Sequence, residues 1–200
     1  MDAPPTKRGE ERRVAILEAA QRCFRRYGFH SASISSICKE AGISPGHLYH
    51  FFPSKEAIVE AIVEGDRERM KAAVADIAAQ PDLIQALIHA MESIDGEFGF
   101  AFDNALSAEI IAEAARNPRV AEILGRFDID ARLEIQRLLL AGQRAGQVRD
   151  DLDVEAMAGV ILVIVDGLGA RAISDPRGSR QALYPLLGAM LTERLAPHQT

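Results

Sequence analysis

The sequence has little cysteine and no long uninterrupted apolar run. Only Cys23 and Cys38 occur, which excludes a disulfide framework and fits a reducing cytosol. The longest apolar run, Ala156–Val165, is too short to span a bilayer. The segment Met1–Arg13 is charged and holds no apolar stretch, so we expect no secretory signal. These absences predict a globular cytoplasmic protein that binds no membrane.

The formal charge is divided unevenly along the chain, although the total of −6 is acidic. Residues 1–55 carry nine Lys or Arg and five Asp or Glu, a net charge of +4. Residues 56–200 carry fourteen and twenty-four, a net charge of −10. Because salt screens such fields within about 10 Å, the basic segment attracts phosphates at its own end only. The division favours a DNA-binding domain at 1–55 and a separate acidic domain at 56–200.

No segment alternates apolar and polar residues as a strand does, so we predict an all-α fold. In the first helix, Leu17, Ala20, Phe24 and Tyr27 share one face, and Gly28 supplies a left-handed stop. Later breaks at glycine and proline divide the rest of the chain into further helices. These are expected at residues 34–41, 45–51, 55–79, 82–95, 97–116, 118–146, 154–174 and 178–195.

Two short helices joined by a tight turn are expected between residues 33 and 51. Ser33 is a typical N-cap for the first of them, which Gly42 ends. Ser44 followed by Pro45 is a strong helix start, because serine caps the first turn and proline is best tolerated at the first helical position. Two such helices joined by a glycine-containing turn form the helix-turn-helix pattern.

The second short helix, Pro45–Phe51, carries residues that suit a DNA contact. Gly46 costs about 1 kcal/mol of helix stability relative to alanine, which indicates a close approach to another surface. His47, Tyr49 and His50 can donate hydrogen bonds to phosphates or base edges. Core packing of these rings is the alternative, since aromatic residues on short helices are more often buried.

Lys55 gives a separate indication of phosphate binding. It lies in the first turn of the next helix, where a positive charge opposes the helix macrodipole. The same helix start presents free N–H groups that favour an anion. A lysine beside these donors is unfavourable for stability but suited to gripping a phosphate, and a solvated surface lysine is the alternative.

The N-terminal third resembles the TetR (tetracycline-repressor-type) regulators. The matching residues are Ile16-Leu17-Glu18-Ala19-Ala20, Phe24, Gly28-Phe29, Ser33-Ile34, Ile37, Ala41-Gly42-Ile43-Ser44, Gly46, Leu48-Tyr49 and Phe52-Pro53-Ser54-Lys55-Glu56. The resemblance implies a three-helix DNA-binding domain and a helical ligand-binding and dimerisation bundle, in a homodimer that a small molecule releases from a palindromic operator. It implies that the following residues face DNA: Ser33, Ser44, Gly46, His47, Tyr49, His50 and Lys55. Phe51 departs from the pattern, because the family often has a histidine there.

The C-terminal region is more loosely similar to one large subgroup of the same family, at residues 109–118, 146–152 and 166–168. This resemblance implies an effector pocket, without naming the effector. Methionine and aromatic side chains can line an adaptable apolar cavity, with plain core packing as the alternative. The candidate pocket residues are Met91, Phe98, Phe102, Ile110, Phe127, Leu133 and Asp166, and for Asp166 a bond to a neighbouring helix is the alternative.

The predicted helix Val154–Ser174 is apolar nearly all round between residues 156 and 165, so we expect burial on several sides. Core packing on one face and a second subunit on the other would account for it, and the resemblance implies a dimer made by the last two helices. A core within one chain is the alternative. The candidate interface residues are Ile161, Val165, Leu168, Leu187 and Leu191.

Other classes of function find little support in the sequence. A di-metal site in a helical bundle needs paired Glu-x-x-His motifs, but His89 precedes Glu92, and Glu109 and Glu113 lack a suitably spaced histidine. We therefore predict no enzymatic activity, no cofactor and no metal site. A redox switch at the two cysteines is an alternative to inert buried thiols. A helical protein-interaction module that binds no nucleic acid is another.

Overall fold

The computed structural model describes residues 7–93, 103–175 and 180–198. Within these ranges the chain forms helices and no strands, which confirms the all-α prediction. The predicted start of a helix at residue 97 lies outside the described residues. The helices are α1 (Lys7–Ser31), α2 (Ile34–Ala41), α3 (Pro45–Phe51), α4 (Lys55–Ala78), α5 (Leu83–Glu92), α6 (Asn104–Ala114), α7 (Pro118–Arg144), α8 (Val154–Ser174) and α9 (Arg180–Leu195).

The chain is organised as two compact units. The first consists of the residues up to Gly65 together with Ala105–Gly125, and the second consists of Asp66–Asn104 and the residues from Arg126 onward. Helices α4, α6 and α7 therefore contribute residues to both units. The first unit holds the described residues of the predicted DNA-binding domain, 7–55, and in addition residues 105–114 of α6.

The core of the first unit forms along the inner face of α1. Phe24 is fully buried, and its ring centroid lies 5.1 Å from that of Phe29. Tyr27, predicted on the same face, is instead 48% exposed, with the Arg26 guanidinium over its ring. The physical reason is Gly28, whose φ of 75° takes the backbone out of helical geometry, so that Phe29 enters the core in place of Tyr27.

The core of the second unit is built from α5, α7, α8, α9 and the later part of α4. A side chain at Gly142 would meet Val148 Cγ2 at 2.7 Å, so glycine permits the segment after α7 to pack closely. The side-chain oxygen of Gln147 accepts a hydrogen bond from the Leu83 amide at 2.9 Å and satisfies the start of α5. The largest fully buried side chains in the core of the second unit include Ile77, Leu87, Ile135, Leu139, Ile161 and Leu195.

Only one face of helix α8 is covered by other parts of the chain. Its inner residues Ile161, Val165 and Leu168 are buried in the core of the second unit, as is Leu191 of α9, while Leu187 packs partly buried against it. Burial of these residues within one chain opposes their placement at a subunit interface, which stays a prediction. A run that is apolar all round does not reveal which of its faces the chain itself covers.

The opposite face of α8 is apolar and open. Ala156, Val160, Val163, Gly167 and Ala170 are all exposed, with Val163 at 71%. Their alternating steps of four and three residues are the spacing of a helix that packs along a second helix. On α9 the exposed apolar residues are Leu183, Leu186 and Met190. We call these eight residues the open α8–α9 face.

By length and composition alone, α8 is the one helix in the described parts of the chain that could cross a membrane. Only 28% of its most apolar 18-residue window is buried within the chain. Core helices of other proteins meet the same criterion, so its composition by itself carries little weight. The physical question that it raises is what covers the open α8–α9 face.

Candidate nucleic-acid interface

Helix α2 is fixed at both ends by the residues that the sequence indicates. The Ser33 hydroxyl oxygen accepts a hydrogen bond from the Ser36 amide at 3.0 Å, and Gly42 ends the helix with a φ of 65°. Ile37 and Cys38 are buried on its inner side. Both predicted caps and both helix bounds are confirmed.

Helix α3 is held in place by a cap and a single buried side chain. The Ser44 hydroxyl oxygen accepts a hydrogen bond from the His47 amide at 3.3 Å, and Pro45 occupies the first helical position. Leu48 is fully buried, and no other residue of α3 is. Since a helix of seven residues is not stable alone, this anchor and the neighbouring helices must hold it.

The remaining side of α3 points to solvent. Gly46, His47, Tyr49 and His50 are all exposed, and the Tyr49 side chain is 50% accessible. The His47 and His50 ring centroids lie 5.5 and 5.4 Å from that of Phe51, so both imidazoles pack against the same ring. The helix therefore presents imidazole and phenol groups to the outside.

Gly46 has no packing reason to be glycine. A Cβ added there would meet no atom within 4 Å, and the backbone φ is not positive. The chain thus accepts the cost of a helical glycine without any need of its own. This observation favours a close approach by something outside the chain.

Lys55 does not extend into solvent as a phosphate ligand would. Its ammonium donates hydrogen bonds to the carbonyl oxygens of Phe29 at 2.6 Å, Ala32 at 3.0 Å and His30 at 3.4 Å. Burial lowers the pKa of Lys55, while the neighbouring Glu113 and Glu56 carboxylates raise it by less. This geometry opposes the prediction that Lys55 binds a phosphate, because all three protons of the ammonium already have acceptors.

Glu109 of α6 also binds the end of α1, and Glu113 is connected through Asn117 to the start of α4, which the sequence did not lead us to expect. Glu109 Oε2 accepts a hydrogen bond from the Phe29 amide at 3.3 Å. Glu113 is buried and accepts hydrogen bonds from Arg116 and Asn117, and Asn117 Nδ2 also donates to Glu56 Oε1 at 3.2 Å. The only signal in the sequence was the spacing of Glu109 and Glu113 on one helix face, which was considered above as part of a metal-binding motif.

The predicted pocket residues are distributed rather than gathered. Met91 and Phe127 belong to the core of the second unit, whereas Ile110 is buried in the first. Leu133 and Asp166 are exposed on the second unit. Phe98 and Phe102 lie outside the described residues. Two open grooves of about 360 and 410 Å³ share Pro81, Asp82 and Gln85, and none of the predicted pocket residues lines either.

Among residues 7–93, 103–175 and 180–198, no three His, Cys, Asp or Glu side chains are placed to hold a metal ion. Both cysteines are free and buried. Burial raises the pKa of the Cys23 and Cys38 thiols, which lowers the fraction of reactive thiolate.

We expect both thiols to react slowly with iodoacetamide in the native protein and rapidly once it is unfolded in denaturant. The reason is that alkylation needs both access and a thiolate. Mass spectrometry of protein quenched at successive times measures both rates. Labelling of either cysteine at the unfolded rate under native conditions would instead support a redox role.

Two family models match the chain, and together they cover most of it. The model described as bacterial regulatory proteins, tetR family, matches residues 16–62. The model described as BetI-type transcriptional repressor, C-terminal, matches residues 103–196. The first match contains α2, α3 and the capping residues described above.

Relatives along nearly the whole chain agree with these matches. The HTH-type transcriptional regulator UidR of Escherichia coli K12 is 32% identical over 185 residues, covering 90% of this chain and 93% of UidR. The structure of Salmonella enterica GusR superposes with a TM-score of 0.80 at 33% identity, covering 92% of this chain and 95% of GusR. A protein from Saccharomonospora viridis, solved in complex with choline, has the same fold, with a TM-score of 0.75 at 23% identity over 94% of this chain and all of that one.

Proposed function

Because the chain belongs to the TetR family of bacterial regulatory proteins, and is a DNA-binding transcriptional regulator and not an enzyme, we propose that it is a cytoplasmic homodimeric repressor that a small molecule releases from a palindromic operator. In this proposal residues 1–55 bind DNA, and residues 56–200 bind the effector and form the dimer. The observation that carries it is the exposed, capped helix α3, whose outer side holds Gly46 and the hydrogen-bonding rings of His47, Tyr49 and His50 beside Pro45.

Helix α3 would enter the major groove with its exposed side toward the bases. His47, Tyr49 and His50 supply ring donors and acceptors for base edges and phosphates. Ser33 and Ser44 use their hydroxyl oxygens as caps, but each hydroxyl proton remains able to donate to a phosphate. Gly46 lets the backbone of α3 approach the DNA closely.

A second copy of the chain is the occupant that fits the open α8–α9 face. The residues of this face are apolar and follow a helix-packing spacing on α8, and α9 adds three exposed apolar residues. Its small residues, such as Gly167 and Ala170, permit a close approach between helices. In the proposed homodimer two α3 helices enter successive major grooves, so we expect the operator to be an approximate palindrome with half-sites about 34–36 Å apart or a multiple of that distance.

Release by a small molecule rests on the family and on the choline-bound neighbour of the same fold. A ligand that binds better to dimers with one spacing of the two DNA-binding domains shifts the population toward that spacing. Ligand-induced loss of operator binding, rather than gain, is the direction proposed.

The DNA-binding part of the proposal is tested by titrating purified protein into genomic DNA fragments that the protein itself has enriched. We expect tight binding whose affinity falls steeply as salt increases, because phosphate contacts release counterions. A protein-interaction module would show no enrichment and no salt-dependent binding. That result would contradict the proposal.

Gly46→Ala is expected to stabilise the protein and weaken DNA binding at the same time. Alanine is better than glycine in a helix by about 1 kcal/mol, and there is room for its methyl group. The same methyl group would hold α3 away from the groove and reduce affinity about tenfold, as expected when a close approach is weakened in each half-site. Thermal unfolding and equilibrium DNA binding measure the two effects.

Gly125→Ala is the matched control, because Gly125 is also helical and exposed with no atom within 4 Å of the added Cβ. It is expected to raise stability and leave DNA affinity unchanged. If Gly46→Ala and Gly125→Ala behave alike, Gly46 does not face DNA.

A further inference from the structure

Lys55 lies where the two ends of the helix-turn-helix meet. The segment Phe29–Ala32 leads into α2, and Lys55 begins the helix that follows α3. Three carbonyl oxygens of that leading segment surround the ammonium at 2.6, 3.0 and 3.4 Å. One side chain therefore joins the chain just before α2 to the chain just after α3.

The surroundings of the ammonium are suited to a fixed cation. The Lys55 nitrogen lies 4.2 Å from the centroid of the Phe29 ring, which is itself buried, so the ring face adds a cation–π contact. The Phe29 amide on the other side of the same residue is held by Glu109. Phe29 is thus bound through its N–H, its C=O and its ring.

We propose that Lys55 is a positioning residue for DNA binding, a clasp that closes the helix-turn-helix and sets the orientation of α3 without touching the phosphate backbone. The proposal rests on the proposed function for the DNA itself. In this role Lys55 contributes to DNA affinity by fixing the orientation of α3, and not by attracting a phosphate directly. A clasp and a phosphate ligand predict different chemistry at this one side chain.

The first test uses the unaltered protein. Acetylation of lysine amines by an N-hydroxysuccinimide ester is followed by mass spectrometry, with and without a 30-base-pair duplex that the protein selects from a random-sequence pool. We expect Lys55 to react at least about tenfold more slowly than the exposed Lys39 in both states, because its ammonium is enclosed by acceptors. Rapid labelling in the free protein with protection on DNA would overturn the clasp.

The second test compares Lys55→Arg with Lys55→Met on the same duplex across a range of salt concentrations. A planar guanidinium does not fit three converging carbonyls, so both variants are expected to lose affinity about tenfold or more, with an unchanged salt slope. A phosphate ligand gives the opposite pattern. Arginine then preserves affinity, and methionine lowers the slope by about 0.9 for each phosphate that the protein no longer neutralises.

Lys39→Met is the matched control for the loss of an exposed positive charge. If neither Lys55 variant folds, the acetylation of the unaltered protein decides the matter alone. The two proposals fail separately. If the unaltered protein selects no duplex, the proposed function fails, whereas DNA binding with rapid Lys55 labelling or arginine rescue overturns only the clasp.

Discussion

A Val163→Glu variant is expected to be a folded monomer that no longer binds operator DNA tightly. Val163 is 71% exposed in the single chain, so a glutamate there leaves the core of the second unit intact. In the proposed dimer the carboxylate would lie in an apolar contact beside its symmetry mate. Removing two carboxylates from water costs several kcal/mol, which corresponds to roughly a thousandfold weaker dimer or more.

Loss of the dimer should also remove most of the operator affinity. In a dimer, binding of one DNA-binding domain to its half-site gives the second domain a high effective concentration at the other half-site. A monomer lacks this gain in affinity. Sedimentation equilibrium measures the mass, circular dichroism checks the fold, and DNA titration measures the affinity. Ile111→Glu is the control, because Ile111 is 59% exposed on α6 and is not one of the residues of the open α8–α9 face. A Val163→Glu protein that remains a dimer would contradict our placement of the interface.

Tyr49→Ala is expected to leave the protein stable while weakening operator binding on the order of a hundredfold, since each contact contributes about 1–3 kcal/mol and the dimer has two. The Tyr49 side chain is half exposed and its helix is anchored by Leu48 instead, so the change in unfolding free energy should stay within about 0.5 kcal/mol. Competition binding and thermal unfolding measure the two quantities.

Tyr27→Ala is the matched control for Tyr49→Ala. Tyr27 is similarly exposed, but it lies at the end of α1 with Arg26 over its ring. Its removal should change DNA affinity little. Equal losses of affinity from the two tyrosine variants would mean that α3 has no special part in DNA binding.

The helix-turn-helix could be predicted closely because its determinants are local. Ser33, Gly42, Ser44 and Pro45 act on backbone groups within a few residues, and the observed bounds of α2 and α3 follow them. The exposed side of α3 could also be inferred, since Leu48 is the apolar residue left to face inward. Local capping chemistry does not depend on the rest of the fold.

The role of Lys55 could not be inferred in the same way. Its acceptors lie 23 to 26 residues earlier in the chain, and nothing in the local pattern distinguishes a carbonyl from a phosphate as the partner. A positive charge at a helix start is unusual and can be seen in the sequence. The groups that compensate the charge of Lys55 are distant in the chain and cannot be seen there.

The faces of α8 were beyond sequence reasoning for a related reason. Ile161 and Val163 are two positions apart and equally apolar, yet one is fully buried and the other mostly exposed. Only the packing of α8 against the rest of its unit separates them. The prediction that one face meets a second chain stays a prediction, but its residues are now those of the open α8–α9 face.

The central claim, that paired α3 helices read DNA, is tested most directly by sequencing the fragments that the purified protein selects from its own genome and footprinting the strongest site. We expect one recurrent, nearly palindromic motif, protected over two half-sites that are about one helical turn apart or a multiple of it. Its enrichment should disappear with Tyr49→Ala. Fragments that share no motif, or a motif that Tyr49→Ala recovers equally well, would contradict the account.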